Sequence, residues 1–268
     1  MLSGLLSLAV ACTPATAVDV PVTAIPFTPP ARFALWWRMT EACSGTTGDL
    51  ASVSWYVVPN ATTLDLDGER VNGYWLRNPD RIVLADAHRV DGPLVRHEML
   101  HALLRAPEHS RAKFLTACDG IVVCDGPCEA ETGGRPPPPA SARELRPRDV
   151  DPRVEVIPPA PSASLDGGAV AVTVTITNPR SEPVWVRLTS QAPGDPVSRT
   201  FGVLVDYDDP AKIGTTGYTS TTSDRFPLGA GESRRQVVFD GDLSAGRFGI
   251  RGYFNVDTAP RFVLQVGP

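Results

Sequence analysis

Five consecutive residues, His97-Glu98-Met99-Leu100-His101, constrain this chain more than any other stretch. On an α-helix, positions i and i+4 lie one above the other on the same face. Two imidazoles so placed can hold one Zn²⁺, with Glu98 beside them as a candidate general base. The pattern therefore asks for a helix, a face of that helix turned into a cleft, and a further ligand from elsewhere. All four histidines of the chain, His88, His97, His101 and His109, fall in this neighbourhood.

The flanking sequence supplies the helix. Asp91 suits an N-cap and Pro93 a first turn. Residues 94–105 then carry Val95, Met99, Ala102 and Leu103 to one side and the motif to another, and Pro107 ends the run. Upstream, residues 33–39 read as a helix with Trp36, Trp37 and Met39 in the core. Residues 53–58, 74–76 and 81–85 read as strands, with a turn at 65–68. Downstream, residues 110–117 read as a short helix that turns Phe114 and Leu115 inward.

The start of the chain reads as an export signal. Residues 2–11 are apolar but too short to span a bilayer as a mature helix. Ala9-Val10-Ala11-Cys12 looks like a lipobox, after which Cys12 would be lipidated and membrane-attached; Ala15-Thr16-Ala17 is a competing signal-peptidase site. Residues 1–17 are thus expected to be a signal peptide and residues 18–30 a Pro/Thr/Ala tether. With Cys12 set aside, four cysteines remain, an even number suited to two disulfides in an oxidising compartment. The favoured pairs are Cys43–Cys118 and Cys124–Cys128; a second metal site at the C-x3-C is the alternative. The expected location is secreted or cell-envelope. A net charge of −5 with no basic run interleaved with aromatics argues against a nucleic-acid partner.

The run Val95-Arg96-His97-Glu98-Met99-Leu100-His101-Ala102-Leu103-Leu104, then Pro107-Glu108-His109, Phe114 and Cys118, resembles secreted bacterial zinc metallopeptidases of the H-E-x-x-H class. The resemblance covers residues 33–128. It implies a zincin-like domain, here residues 31–130, with a strand above the cleft, the motif helix below it, and an extended peptide or protein substrate along the strand. It implies Zn²⁺ held by His97, His101 and a third residue, with a water that Glu98 deprotonates before passing the proton to the leaving amine. Metzincins continue H-x-x-G-x-x-H, but Leu104 stands at the glycine and Pro107 at the third histidine. No methionine follows Met99, so the Met-turn is missing too. Gluzincins draw a glutamate from a later helix, whereas Glu129 and Glu131 sit in Gly/Pro-rich sequence with no helical period. His109 is the expected third ligand, brought back by a turn through Ala106-Pro107; Glu108 or a later carboxylate are the alternatives. His88 is expected in a loop.

Residues 131–152, with Pro136 to Pro139, read as a semi-rigid linker. Beyond it the pattern becomes period two: Val170, Val172, Val174 and Ile176 alternate with Ala171, Thr173, Thr175 and Thr177. Further strands are expected at 154–157, 184–189, 201–207, 236–239, 247–254 and 262–266. About seven short strands in this span suggest an immunoglobulin-like β-sandwich over 153–268. Asn178-Pro179, residues 229–233 and residues 246–248 resemble such domains of bacterial envelope proteins, including those similar to the BsuPI proteinase-inhibitor fold. The expected fold class is an α+β zincin-like domain followed by an all-β sandwich. The expected function is a zinc metallopeptidase. The alternative is a non-catalytic envelope binding or adhesion lipoprotein with a structural metal. Oligomeric state is not legible.

Overall fold

The first helix shows why the motif helix has something to lie on. In α1 (Arg32–Ser44), Phe33, Leu35, Trp36, Trp37 and Met39 are all buried. The Phe33 ring stacks on Trp36 at 4.9 Å and meets Trp55 edge-on at 5.0 Å. Gly45 ends the helix at φ 68, a left-handed conformation that glycine takes without a Cβ clash, and its N–H donates to Glu41 O. In this computed structural model the described residues are 19–145, 149, 153–157, 168–187, 199–207, 216–220, 225–243, 246–254 and 257–266. The expected signal segment, with Cys12 and Ala15-Thr16-Ala17, lies outside them. Among the described residues no helix is long and apolar enough to cross a membrane.

Six short strands flank this helix along the chain, and three of them lie on or close to the residues expected for strands. β1 (Ile25–Pro26), β2 (Ser54–Val58), β5 (Gly73–Leu76) and β6 (Arg81–Ala85) form a sheet in the order β1-β2-β6-β5. β2 and β6 run parallel, while β5 is antiparallel to β6 with Gly73 opposite Leu84. β5 is therefore an edge strand. Between β2 and β5, β3 (Leu64–Leu66) and β4 (Glu69–Val71) make a hairpin whose turn uses Asp67 and Gly68 at positive φ. β1 corrects the expected tether. Ile25 and Pro26 pair with Val57 and Tyr56, and Phe27 N donates to Trp55 O at 2.9 Å. A proline-rich segment hides this because pairing at a sheet edge tolerates proline and leaves no alternation to read.

The motif helix, α2 (Gly92–Leu104), has Asp91 at its N-cap position and Arg105 at its C-cap with φ 53. It packs on α1 and β5. Val95, Met99, Leu100, Ala102 and Leu103 are buried, and so are His97, Glu98 and His101. A π-helical turn, Ala112–Ala117, and a short helix, α3 (Pro127–Thr132), follow. α3 is a second correction: Glu129 and Glu131 lie on a helix, though six residues are too few to show a period. Cys43 is bonded to Cys118 and Cys124 to Cys128. The first bridge ties the end of α1 to the π-helical turn.

Among the described residues beyond α3, the regular elements are strands. β7 (Glu144–Leu145), β8 (Arg153–Ile157), β9 (Gly168–Thr177), β10 (Val184–Arg187), β11 (Arg199–Tyr207), β12 (Thr216–Ser220), β13 (Arg225–Leu228), β14 (Ser233–Leu243), β15 (Gly246–Phe254) and β16 (Asp257–Val266) form three sheets, β14-β9-β8, β12-β11-β15-β16 and β13-β10-β7. β12 and β13 escaped the sequence because neither alternates cleanly. Within the expected linker, residues 131–145 make contacts of their own. β7 pairs parallel with β10, Leu145 is buried, and Arg135 bonds both Asp119 and Glu232. α1 packs against β8 and β9, so Ile157 and Ala171 share one core with Phe33 and Trp36. Over the described residues the chain is a mixed α/β structure, α+β in the broad sense, with several sheets and few helices.

Candidate metal centre

His97 and His101 stand one turn apart on α2, and the turn after Pro107 returns His109 to them. The three Nε2 atoms converge: His97 to His101 3.1 Å, His97 to His109 3.1 Å, His101 to His109 3.2 Å. Each Nδ1 has its own acceptor. His97 Nδ1–H donates to Val123 O and His101 Nδ1–H to Ala106 O, both at 2.7 Å. His109 Nδ1–H donates to Glu131 Oε2 at 3.0 Å, and the same oxygen accepts the His109 backbone N–H at 2.9 Å. These acceptors fix the tautomer, so the three Nε2 atoms meet with lone pairs and no proton between them. Such a meeting is repulsive unless a cation sits at its centre. Nitrogens held about 2.0–2.1 Å from one tetrahedral ion stand roughly 3.3 Å apart, close to what the triad shows.

A second set of donors overlaps the triad. Ligand atoms of His97, His109 and Cys128 lie within 4.8 Å of one another and could hold a metal ion. Of the two sets the three histidines are the better one. Cys128 Sγ is bonded to Cys124 and carries no thiolate, whereas His101 Nε2 is already in contact with both partners.

Burial tunes the groups. It is the main reason His97 is pushed down to about 3 and His101 to about 4, keeping both imidazoles neutral, as ligands must be. It also pushes Glu98, 4% exposed, up to about 8. Glu131 is held below the usual carboxylate range, first by the backbone N–H of His109. Phe114 sits 4.8–5.0 Å from all three imidazole rings and closes one side of the triad. The other side opens into a cleft of about 520 Å³ lined by Gly73 and Trp75 of β5, by Glu98 and the three histidines, and by Cys128 and Glu131 of α3. Gly73 matters here: a Cβ on it would meet Leu84 Cδ2 at 2.9 Å and Glu98 Cγ at 3.4 Å. Its absence lets the strand come down beside the carboxylate.

The structure brings Glu98, His97, His101 and His109 together and leaves His88 apart. His88 lies in a 3₁₀ turn with Nδ1 3.4 Å from Asp91 Oδ2. Glu131, weighed from the sequence only as a ligand, instead orients His109. Pro127 at a helix start and an acidic residue four positions on were the available signal. The carbonyls of Val123 and Ala106, and the Phe114 ring against the triad, left no signal at all.

No family model matches the chain and no curated protein matches it. Among solved structures it is similar to an alkylpurine DNA glycosylase of Pseudomonas fluorescens bound to DNA with an abasic-site analogue, at 13% identity over 45% of this chain and 31% of that one, TM-score 0.29. A β-glucosidase of Listeria innocua in complex with glucose matches at 13% identity over 44% of this chain and 16% of that one, TM-score 0.26. The ApaA protein of Bordetella pertussis matches at 20% identity over 44% of this chain and 89% of that one, TM-score 0.25. The chain thus spans under a third of the first two proteins, and similarities this low carry no argument about its fold or function.

Proposed function

We propose that the chain is an exported zinc metallopeptidase, zincin-like over residues 31–130, with an immunoglobulin-like sandwich behind it. The convergence of His97, His101 and His109 beside buried Glu98, in a cleft bordered by an edge strand, is the observation that carries this reading. The three imidazoles would hold Zn²⁺. Bound there, it supplies Lewis acidity toward a water and a peptide carbonyl. The rest falls to the chain's own residues. Val123 O, Ala106 O and Glu131 keep each Nε2 aimed inward. In the metal-free chain burial keeps the Glu98 carboxyl protonated; the positive charge of a bound ion beside it would favour the carboxylate, which would then accept a proton from the attacking water and release it to the leaving amine. β5 offers its outer edge to an extended peptide, since among the described residues no strand pairs there. A fourth protein ligand would favour the adhesion alternative, and the sulfur beside the triad is held in a disulfide.

The test is Glu98→Gln in the full chain. We expect bound zinc at the wild-type level and cleavage of a mixed peptide library reduced by about 10²–10⁴-fold. Full retained cleavage would remove Glu98 from the chemistry and the reading with it.

A further inference from the structure

We propose that Cys128 is a redox-gated fourth ligand of the histidine centre: the Cys124–Cys128 disulfide keeps the centre open, and its reduction closes it. The inference rests on the reading of His97, His101 and His109 as a metal site. Cys128 is 2% exposed and lines the same cleft as the triad, on the side that Phe114 does not cover. Its Sγ lies within 4.8 Å of ligand nitrogens on His97 and His109. A thiolate sharing a tetrahedral ion with an imidazole stands about 3.6 Å from its nitrogen, so a movement of roughly one ångström separates a bystander from a ligand.

Both halves of the bridge are anchored independently of it, so opening the disulfide frees the sulfur without dispersing the site. On one side, α3 is tied to the triad by Glu131, which accepts two hydrogen bonds from His109, and Thr132 Oγ1–H donates to Cys128 O at 2.8 Å. On the other, Val123 O accepts from His97 and Val123 N donates to Pro93 O at 3.2 Å. Once unbonded, the Cys128 sulfur is no longer held against Cys124 and has only that short distance to cover. The balance is that of ordinary exchange. A dithiol reductant gives two electrons and two protons; its own S–S bond forms as the Cys124–Cys128 bond breaks, leaving two thiols. Cys128 then loses its proton to solvent as its sulfur joins the metal. A centre with three histidines and one thiolate is coordinatively closed, as structural sites are, and has no position left for a water. Forming the disulfide in an oxidising compartment reverses the step and opens the centre.

Cobalt(II) is the probe, because thiolate ligation adds a sulfur-to-metal charge-transfer band in the near-ultraviolet. In the full chain, Cys124→Ser leaves Cys128 unbonded, and Cys124→Ser/Cys128→Ser removes both sulfurs. We expect the band in the single variant only, together with cobalt affinity on the order of tenfold tighter than in the double variant. The oxidised wild type should bind cobalt without the band. Equal spectra in the two variants would overturn the proposal. Failure of the wild type to bind cobalt at all would instead remove the metal reading beneath it. If Cys124→Ser does not fold, wild type and Cys128→Ser are compared after treatment with a trialkylphosphine, which opens Cys43–Cys118 in both. A band in the wild type alone supports the proposal, and a band in neither or in both sinks it.

Discussion

The histidine cleft and the seam between the helical and all-strand regions are both polar hollows, and they handle their polar groups in opposite ways. At the seam every named charge answers another. Asp240 of β14 accepts from Trp36 Nε1 at 2.8 Å and from Arg96 Nη1 at 3.3 Å, and Arg96 Nε donates to Ile121 O at 2.6 Å. Asp119 bonds Arg135 at 2.9 Å and the backbone N–H of Arg235 at 3.0 Å, and Arg135 reaches Glu232 at 2.6 Å. The cavity of about 310 Å³ beside them is lined by groups already engaged. In the cleft, three lone pairs face one another, and burial alone acts on Glu98. Polar groups that satisfy each other hold a fold together; polar groups that converge unsatisfied await something that is not part of the chain.

The widest expected effect separates the two through pH, in the metal-free chain. Unfolded, His97 and His101 take up protons from about 6.5; folded, only near 3 and 4. Below about 6.5 the unfolded state therefore binds more protons, and stability falls with pH by up to about 1.4 kcal/mol per unit for each histidine. Glu98 acts oppositely. Its folded carboxyl stays protonated up to about 8 against 4.5 when unfolded, so stability falls as pH rises between those values. Two histidines outweigh one glutamate in the overlap. Thermal melts with chelator should peak near pH 6.5, and Glu98→Gln should flatten the limb up to about 8. A monotonic profile would show that the cleft is paired after all.

Next comes metal itself. Zinc at about a hundred times its Kd should stabilise the chain by about 2.7 kcal/mol, read as a rise in Tm. His109→Ala should abolish that rise and leave the metal-free Tm nearly unchanged, because His109 contributes to the site and little to the core. At the seam the pattern should invert. Asp240→Ala leaves Arg96, 2% exposed, without its counter-charge, and we expect a loss of roughly 2 kcal/mol, less than for a fully enclosed pair because Asp240 is itself 34% exposed. Denaturant unfolding measures it. Adding Arg96→Met should restore most of the loss, since a buried pair replaced by an apolar side chain is close to neutral. The smallest effect belongs to Glu131→Gln: zinc affinity about tenfold weaker, at the low end for an orienting partner because Glu131 is half exposed. An unchanged affinity there would mean that His109 needs no orienting group.

What could be read from residues alone was whatever repeats over a short distance. The i, i+4 histidines, the apolar face of α2, the tryptophans of α1 and the alternation of β9 each announce themselves within about ten residues. β1 stayed hidden behind prolines, and α3 behind its own shortness. Arg96 shows the limit most plainly. In sequence it is a charged residue beside a motif; in the fold it is buried, lying over the Trp36 ring at 5.5 Å and held by an aspartate 144 residues away.

By itself, then, the sequence determined that a helix would present two histidines and a glutamate together, because helical geometry relates residues four apart without help from the rest of the chain. Only the tertiary structure decided that His109 completes the triad, that Glu131, Val123 and Ala106 aim it, and that Cys128 waits beside it. Those placements depend on turns, a disulfide and a shared core closing at once, and no local period records them.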